Sequence, residues 1–460
     1  MKTRRGFLSG LLAAGVAPTV VPGSVFGANA PSNRITVGGV GIGGIGRKQL
    51  DCIREAGFEV VALCDCDWQY AKATFDKFPD ARRYRDFRQM LSDEGSKVDA
   101  VYCGTPDHTH AIVTLAALKA KKHVCCVKPL TRSVEECRAV VAAARAAGTA
   151  TQVTAESATL EGALRLREYI DAGIIGDVVE VQAWSIRPVW PQGMPSLPGF
   201  KSPVPKDLDW DMWIGPAAKV DFADKWPKDS PIPNLPKENW IGAAVYHPFN
   251  FRGWFEFGAG ALGDMGCHRA NAIYRALGLT YPDYVEATAT RVSDVAFPLG
   301  EIVTYDYPKR GTRPAVRLTW YDGGLKPPKP RELGDEPLPQ EGVVYIGTKG
   351  KILYTSTNSL KPEARVLDPA QAAQAAKVPR TLPRREGWIY GEWLQACKGG
   401  EAASCNFDFA QYITEFVQLG NLAVRTGKGV RFDAAAMKVT NNAAADELLR
   451  IPYRNGWTLA

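Results

Sequence analysis

Three groups of residues in this sequence have the types and spacing to do chemistry. The first is VGIGGIG at residues 40–46, where Gly41, Gly43 and Gly46 form a G-x-G-x-x-G pattern enclosing Ile42, Gly44 and Ile45. Glycines at this spacing suit a dinucleotide pyrophosphate. One permits the tight turn, one lets the backbone approach the phosphates, and one lets a helix pack closely on a strand. Asp65 follows nineteen residues after Gly46, and a carboxylate there can accept both ribose hydroxyls and repel a 2′-phosphate, favouring NAD over NADP. The second group is Lys128 of VKPL, a cation where ligands of open α/β sheets sit, or equally a solvated strand-end lysine. The third is Asp264 and His268, four apart in GDMGCH. On a helix both project from one face, and an imidazole beside a carboxylate can shuttle a proton near neutral pH. The same pair could serve as a cap or a core hydrogen bond.

The elements that must hold these residues follow from hydrophobic pattern. RITVGGV, FEVVALCDCD, VDAVYCGTP and HVCCVKP read as buried strands, with helices GGIGRKQLDCIREAG, WQYAKATFDKFP and HAIVTLAALKAKK among them. Such alternation predicts an α/β fold: an N-terminal Rossmann domain with a doubly wound parallel sheet and right-handed crossovers. Near residue 155 the texture changes, and seven of the twelve tryptophans fall between Trp184 and Trp254. VVEVQAWSI, YVEATATRV, AVRLTWYD and GVVYIGTKGKILY predict a C-terminal α+β domain with a large open, mostly antiparallel sheet. KPPKPRELGDEPLPQEG (326–342) reads as a proline-rich surface loop, and FAQYITEFVQLGNLAVRTG as an amphipathic helix capped by Gly427. The domain division expected is 1–30 as a leader, 31–155 for the dinucleotide and 156–460 for substrate.

The leader joins Arg4–Arg5 to the apolar stretch GFLSGLLAAGVA and to ANA at 28–30. This is the pattern of a cleavable twin-arginine signal, which predicts a periplasmic or secreted protein with no membrane association beyond export. Three of the charges behind the net +7 lie in that leader, at Lys2, Arg4 and Arg5. What remains is too dilute for a nucleic-acid footprint. Ten cysteines, several inside apolar runs and none in paired CxxC motifs, suit a protein folded under reducing conditions and give no zinc ribbon. Twin-arginine export of an already folded chain reconciles the two observations.

From residue 33 onward the sequence resembles the glucose–fructose oxidoreductase/inositol dehydrogenase family, Gfo/Idh/MocA. The shared motifs are VGIGGIG, VALCDCD, GTPDHTHAIVTLAALKAKKHV, KP, GIIGDVVEVQ, LDWDMWIGP, GDMGCH and the closing YRNGW; the last three resemble its exported branch. The resemblance implies hydride transfer between NAD(P) and a secondary alcohol of a carbohydrate or polyol, with Lys128, Asp264 and His268 lining the catalytic site. In that picture His268 takes the hydroxyl proton, Asp264 orients it, and Lys128 bonds the same oxygen. Thr105, Asp107 and His110 join the loop in holding the cofactor, while Tyr246, Arg252 and Trp254 are candidate sugar contacts. A homo-oligomer through the C-terminal sheet is also expected. Two positions depart from the family: Val127 replaces its glutamate, and Asn271 stands where many relatives carry a second acid. Outside the cytoplasm the cofactor has to stay bound and be regenerated in place. Paired sugar oxidation and reduction does this, and so does glycosidic cleavage through transient oxidation. A non-catalytic sugar-binding protein is the third alternative.

Overall fold

Short apolar runs closed by glycine or by acidic caps become the strands of the first sheet. The computed structural model describes residues 34–155, 159–232, 244–356, 362–384 and 388–459, so the leader lies outside the described residues. Strand β1 (Thr36–Val40) leads through helix α1 (Ile45–Glu55) to β2 (Glu59–Cys64), α2 (Trp68–Lys77), β3 (Arg82–Tyr84) and α3 (Phe87–Glu94). Then come β4 (Ala100–Cys103), α4 (His110–Lys119), β5 (His123–Cys126), α5 (Val134–Ala147) and β6 (Thr151–Val153). All six strands are parallel, in the order β3-β2-β1-β4-β5-β6. This is the doubly wound sheet that the alternation predicts. Its strand order reverses between β1 and β4, which opens a crevice at the carboxyl ends of those two strands.

Helix α6 (Glu161–Asp171), strand β7 (Val178–Trp184) and the short α7 (Trp210–Ile214) begin the second part, and a π-turn (Leu262–Gly266) runs into α8 (Cys267–Leu277). Strands β8 (Tyr284–Ala289), β9 (Glu301–Tyr307), β10 (Val316–Tyr321), β11 (Gly342–Gly347), β12 (Lys351–Ser356) and β13 (Pro362–Val366) join β7 in a seven-stranded sheet. Every pair in it is antiparallel except β7 with β10. Alternate residues Val303, Tyr305, Tyr307, Leu318 and Trp320 turn to the buried side. After α9 (Pro369–Ala375) and α10 (Ile389–Cys397), the amphipathic α11 (Phe407–Thr426) lies on that side, with Phe416 against the Tyr305 ring at 4.3 Å. Gly427 closes α11 in the left-handed conformation that an L side chain resists.

Two expectations change in the folded chain. The proline-rich segment 326–342 is more than a surface loop, because its Leu333 and Leu338 pack with Trp184, Val344 and Leu353 on the outer face of the second sheet. Packing also crosses the predicted boundary at 155/156. Helix α10 returns to the first sheet, where Ile389, Tyr390 and Trp393 join Val37, Ile53 and Phe58, and Trp393 stacks on Phe58 at 4.5 Å. The first sheet needs both faces covered, and one of its covers comes from late in the sequence. Among the described residues no helix is long and apolar enough to cross a membrane.

Candidate active site

The crevice above β1 and β4 opens into one cavity of about 1030 Å³ that runs from the glycine loop to the π-turn. Gly41, Gly43, Gly44 and Ile45 line its first end, along with Asp65, Thr105 and Asp107. Gly41 has φ +73, and a Cβ there would lie 2.5 Å from the Thr105 nitrogen. A Cβ on Gly46 would collide with the Gly41 carbonyl. These are the tight-turn and close-packing roles that the spacing implies. Helix α1 begins with no side chain capping its N-terminus; the Gly46 N–H is given to the Gly43 carbonyl at 2.8 Å, and the other N–H groups of the first turn are left for a pyrophosphate. The residues present therefore fit a dinucleotide.

Several predicted cofactor contacts take other roles. Ile42 is fully buried and Gly46 is spent on packing; neither lines the cavity. Asp65 braces the loop: its Oδ2 accepts the backbone N–H groups of Ile42 (2.9 Å) and Gly43 (3.1 Å), and its Oδ1 that of Asp67 (2.9 Å). Burial nevertheless pushes its carboxyl above the ordinary value. His110 is fully buried beneath the site. Its ring nitrogens lie 2.8 Å from the carbonyls of Pro129 and Thr105, so it ties the strand end that bears Lys128 to the cofactor loop.

At the second end, Lys128 reaches from the carboxyl edge of β5 to Asp264, bonding its backbone carbonyl and, at 2.7 Å, its Oδ1. Arg252 Nε donates to the same Oδ1 at 3.0 Å and Arg252 Nη1 to the Phe249 carbonyl at 3.0 Å, with the guanidinium against the Phe249 and Phe251 rings. Burial opposes ionisation of Asp264, but Lys128 and Arg252 hold its carboxyl far below the usual carboxylate range. The π-turn widens the helix where Asp264 sits. Asp264 therefore bonds Lys128 and Arg252 rather than His268, its neighbour four residues on. The His268 Nδ1 is buried without a partner among the described residues. Burial, with the Lys128 charge next, pushes that imidazole down to about 3.

Tyr246 and Trp254, read as sugar contacts, are each 1 % exposed in an aromatic cluster with Trp226 and Phe257 and do not line the cavity. Their large apolar faces are worth more buried than wet. Asn271 is likewise fully buried and accepts Arg275 Nε at 3.2 Å. Val127 does line the cavity, beside Ile389 and Tyr390 in an apolar cluster that suits valine and would strand a carboxylate.

Sequence reasoning missed His247, Trp213 and Arg187. His247 Nε2 lies 2.9 Å from Asp67 Oδ2, and its Nδ1 lies 3.0 Å from Trp213 Nε1. An indole N–H only donates, so Nδ1 accepts and the proton sits on Nε2, donated to Asp67. Although burial opposes it, His247 and the Tyr70 N–H hold the Asp67 carboxyl below its ordinary value. This clasp joins the two halves of the chain beside the glycine loop, with the Tyr70 ring lying between His247 and Gly43–Gly44. The available signal was scarcity, since His247 and His268 are the only histidines beyond residue 123.

Comparison with known proteins agrees with this geometry. Residues 35–155 match the model of the oxidoreductase family with the NAD-binding Rossmann fold. An inositol 2-dehydrogenase of Salmonella typhimurium is 34% identical over 151 residues, 32% of this chain and 44% of that protein. The 1,5-anhydro-D-fructose reductase of Ensifer adhaerens is 32% identical over 127 residues, 28% of this chain and 38% of that protein. The chain thus spans less than half the length of these curated relatives. The solved WlbA dehydrogenase of Bordetella pertussis, in complex with NADH and UDP-GlcNAcA, superposes with a TM-score of 0.59 at 16% identity over 87% of this chain and 99% of that one. This likeness extends the shared fold through the second sheet. Over residues 35–155, then, the chain is similar to the Gfo/Idh/MocA oxidoreductases in their NAD-binding Rossmann domain.

Proposed function

We propose that this protein is an NAD-dependent oxidoreductase acting on a secondary alcohol of a carbohydrate or polyol derivative. The observation that carries the proposal is the single cavity shared by the glycine loop and by Lys128, Asp264, Arg252 and His268. The glycine loop with Asp65, Thr105 and Asp107 would hold NAD, which would supply a hydride acceptor for the carbinol carbon. Asp264 fixes the Lys128 ammonium, which donates to the substrate oxygen and stabilises negative charge building there. His268, neutral at physiological pH, takes the hydroxyl proton. The His247 clasp favours a cofactor that stays in place between turnovers.

Export belongs to the same proposal: Arg4–Arg5 direct a folded, cofactor-loaded chain outward. The ten cysteines, all unpaired, support folding in a reducing compartment. Copies of the chain would associate through the strip of the second sheet that segment 326–342 leaves uncovered, near Thr304, Asp306 and Arg317. The test is a panel of polyols, sugars and aryl glycosides followed at 340 nm and for released aglycone. A net absorbance change is expected. Aglycone release with no net change marks transient-oxidation cleavage instead, and silence in both overturns the catalytic reading.

A further inference from the structure

The far wall of the cavity carries a cation with no counter-ion among the described residues. Arg187 lines it just beyond the end of β7. Its backbone is anchored, with its N–H on Ser185 Oγ at 3.3 Å and its carbonyl accepting the Gly323 N–H at 2.6 Å. Its Nε is buried without a hydrogen-bond partner, and its guanidinium takes part in no ion pair among the described residues. The carboxylate of that wall is already taken, because Glu341 accepts from Arg269 at 2.7 Å and from Ser185 Oγ at 3.0 Å. Nearer the reacting groups, Lys128 and Arg252 both lean on Asp264. The one further acid there, Asp107, has its ionisation opposed by burial. Among the described residues, cations therefore exceed anions in the space left for substrate. Arg187 lines the same cavity as His268 and Lys128, which sets it on the wall facing the reacting centre.

A buried guanidinium edge that lacks a partner is costly unless a ligand supplies one, and its planar fork matches an oxyanion. We propose that the substrate is an acidic sugar whose carboxylate seats on Arg187. Arg187 is then a specificity-determining residue that separates sugar acids from their neutral counterparts. This inference rests on the reading of the cavity as a sugar-oxidising site, and its test separates the two.

The experiment uses the full mature chain with its bound dinucleotide. Methyl glucuronoside, methyl glucoside and glucose 6-phosphate are compared by calorimetric binding and, independently, at 340 nm. The acid should bind about 10- to 100-fold tighter than the neutral glycoside, the range for a charge-assisted hydrogen bond. In Arg187→Gln that ratio should fall toward one through KM more than kcat, and Arg187→Lys should restore part of it. Acid-selective binding that depends on Arg187 supports the inference even if nothing is oxidised, which would overturn only the oxidoreductase reading. Equal binding of acid and neutral glycoside, a preference that persists in Arg187→Gln, or tighter binding of the phosphate than of the carboxylate each overturns it.

Discussion

Asp264→Asn removes the one carboxylate that both Lys128 and Arg252 contact. Their nitrogens lie 2.7 and 3.0 Å from Oδ1, and the Lys128 and Asp264 side chains are 15% and 13% exposed. At an effective dielectric near 20, each contact is worth about 6 kcal/mol before desolvation is charged against it. Breaking a buried pair from one side costs a net ~3–5 kcal/mol, because the cations stay buried and now repel. For a chain of 460 residues, at about 2.1 cal/mol/K per residue, that lowers the melting temperature by roughly 3–5 °C. Adding Lys128→Met should return part of the loss, since one stranded charge goes with it, so the two changes will not be additive. Acid sensitivity carries a second signature. The Asp264 carboxyl titrates in the fold far below its unfolded value, so its contribution is full above pH 4–5 and fades as pH falls toward the folded value. The Asn variant should lose that part of the acid transition. Melting curves for both single variants and the double, taken at pH 7 and at about pH 2.5, well below the unfolded carboxylate value, measure all of this. A melting point within 1 °C of the parent, together with additive changes, would show that the trio does not hold the site together.

Gly46→Ala should abolish dinucleotide binding and destabilise the fold, because the new methyl meets the Gly41 carbonyl; protein-bound dinucleotide after gel filtration is the readout. His247→Ala should leave folding largely intact but raise the cofactor off-rate by about tenfold, the worth of one charge-assisted hydrogen bond; retention unchanged after dialysis would refute the clasp. His108 and His268 are both pushed down to about 3, chiefly by burial. The unfolded chain therefore binds protons that the folded chain refuses between about pH 6.5 and 3, and stability should fall by up to about 1.4 kcal/mol per pH unit for each. His268→Asn should halve that slope. Changing Arg4 and Arg5 to Lys should strand loaded precursor inside the cell, measured as dinucleotide per mole of protein in each compartment.

The sequence determined what local rules can express. Strand and helix alternation dictated the first sheet, and the glycine spacing needed only the loop between one strand and the next helix, so both were legible from neighbouring residues. Lys128 and the Asp264–His268 spacing were visible as candidates for the same reason. Tertiary structure decided their partners. Asp264 turned to Lys128, 136 residues away, because a π-turn altered its direction, and the i,i+4 rule assumes a regular helix. Asp65 went to the glycine loop because backbone N–H groups packed against it have to be satisfied. Tyr246 and Trp254 look alike in sequence whether they face a sugar or a core, and only packing distinguishes the two. His247 and Arg187 acquired meaning from what surrounds them: a tryptophan and an aspartate for one, and for the other a wall whose carboxylate, Glu341, was already taken. Contacts across such separations depend on how two sheets and their shared helices come together, and no local pattern records that.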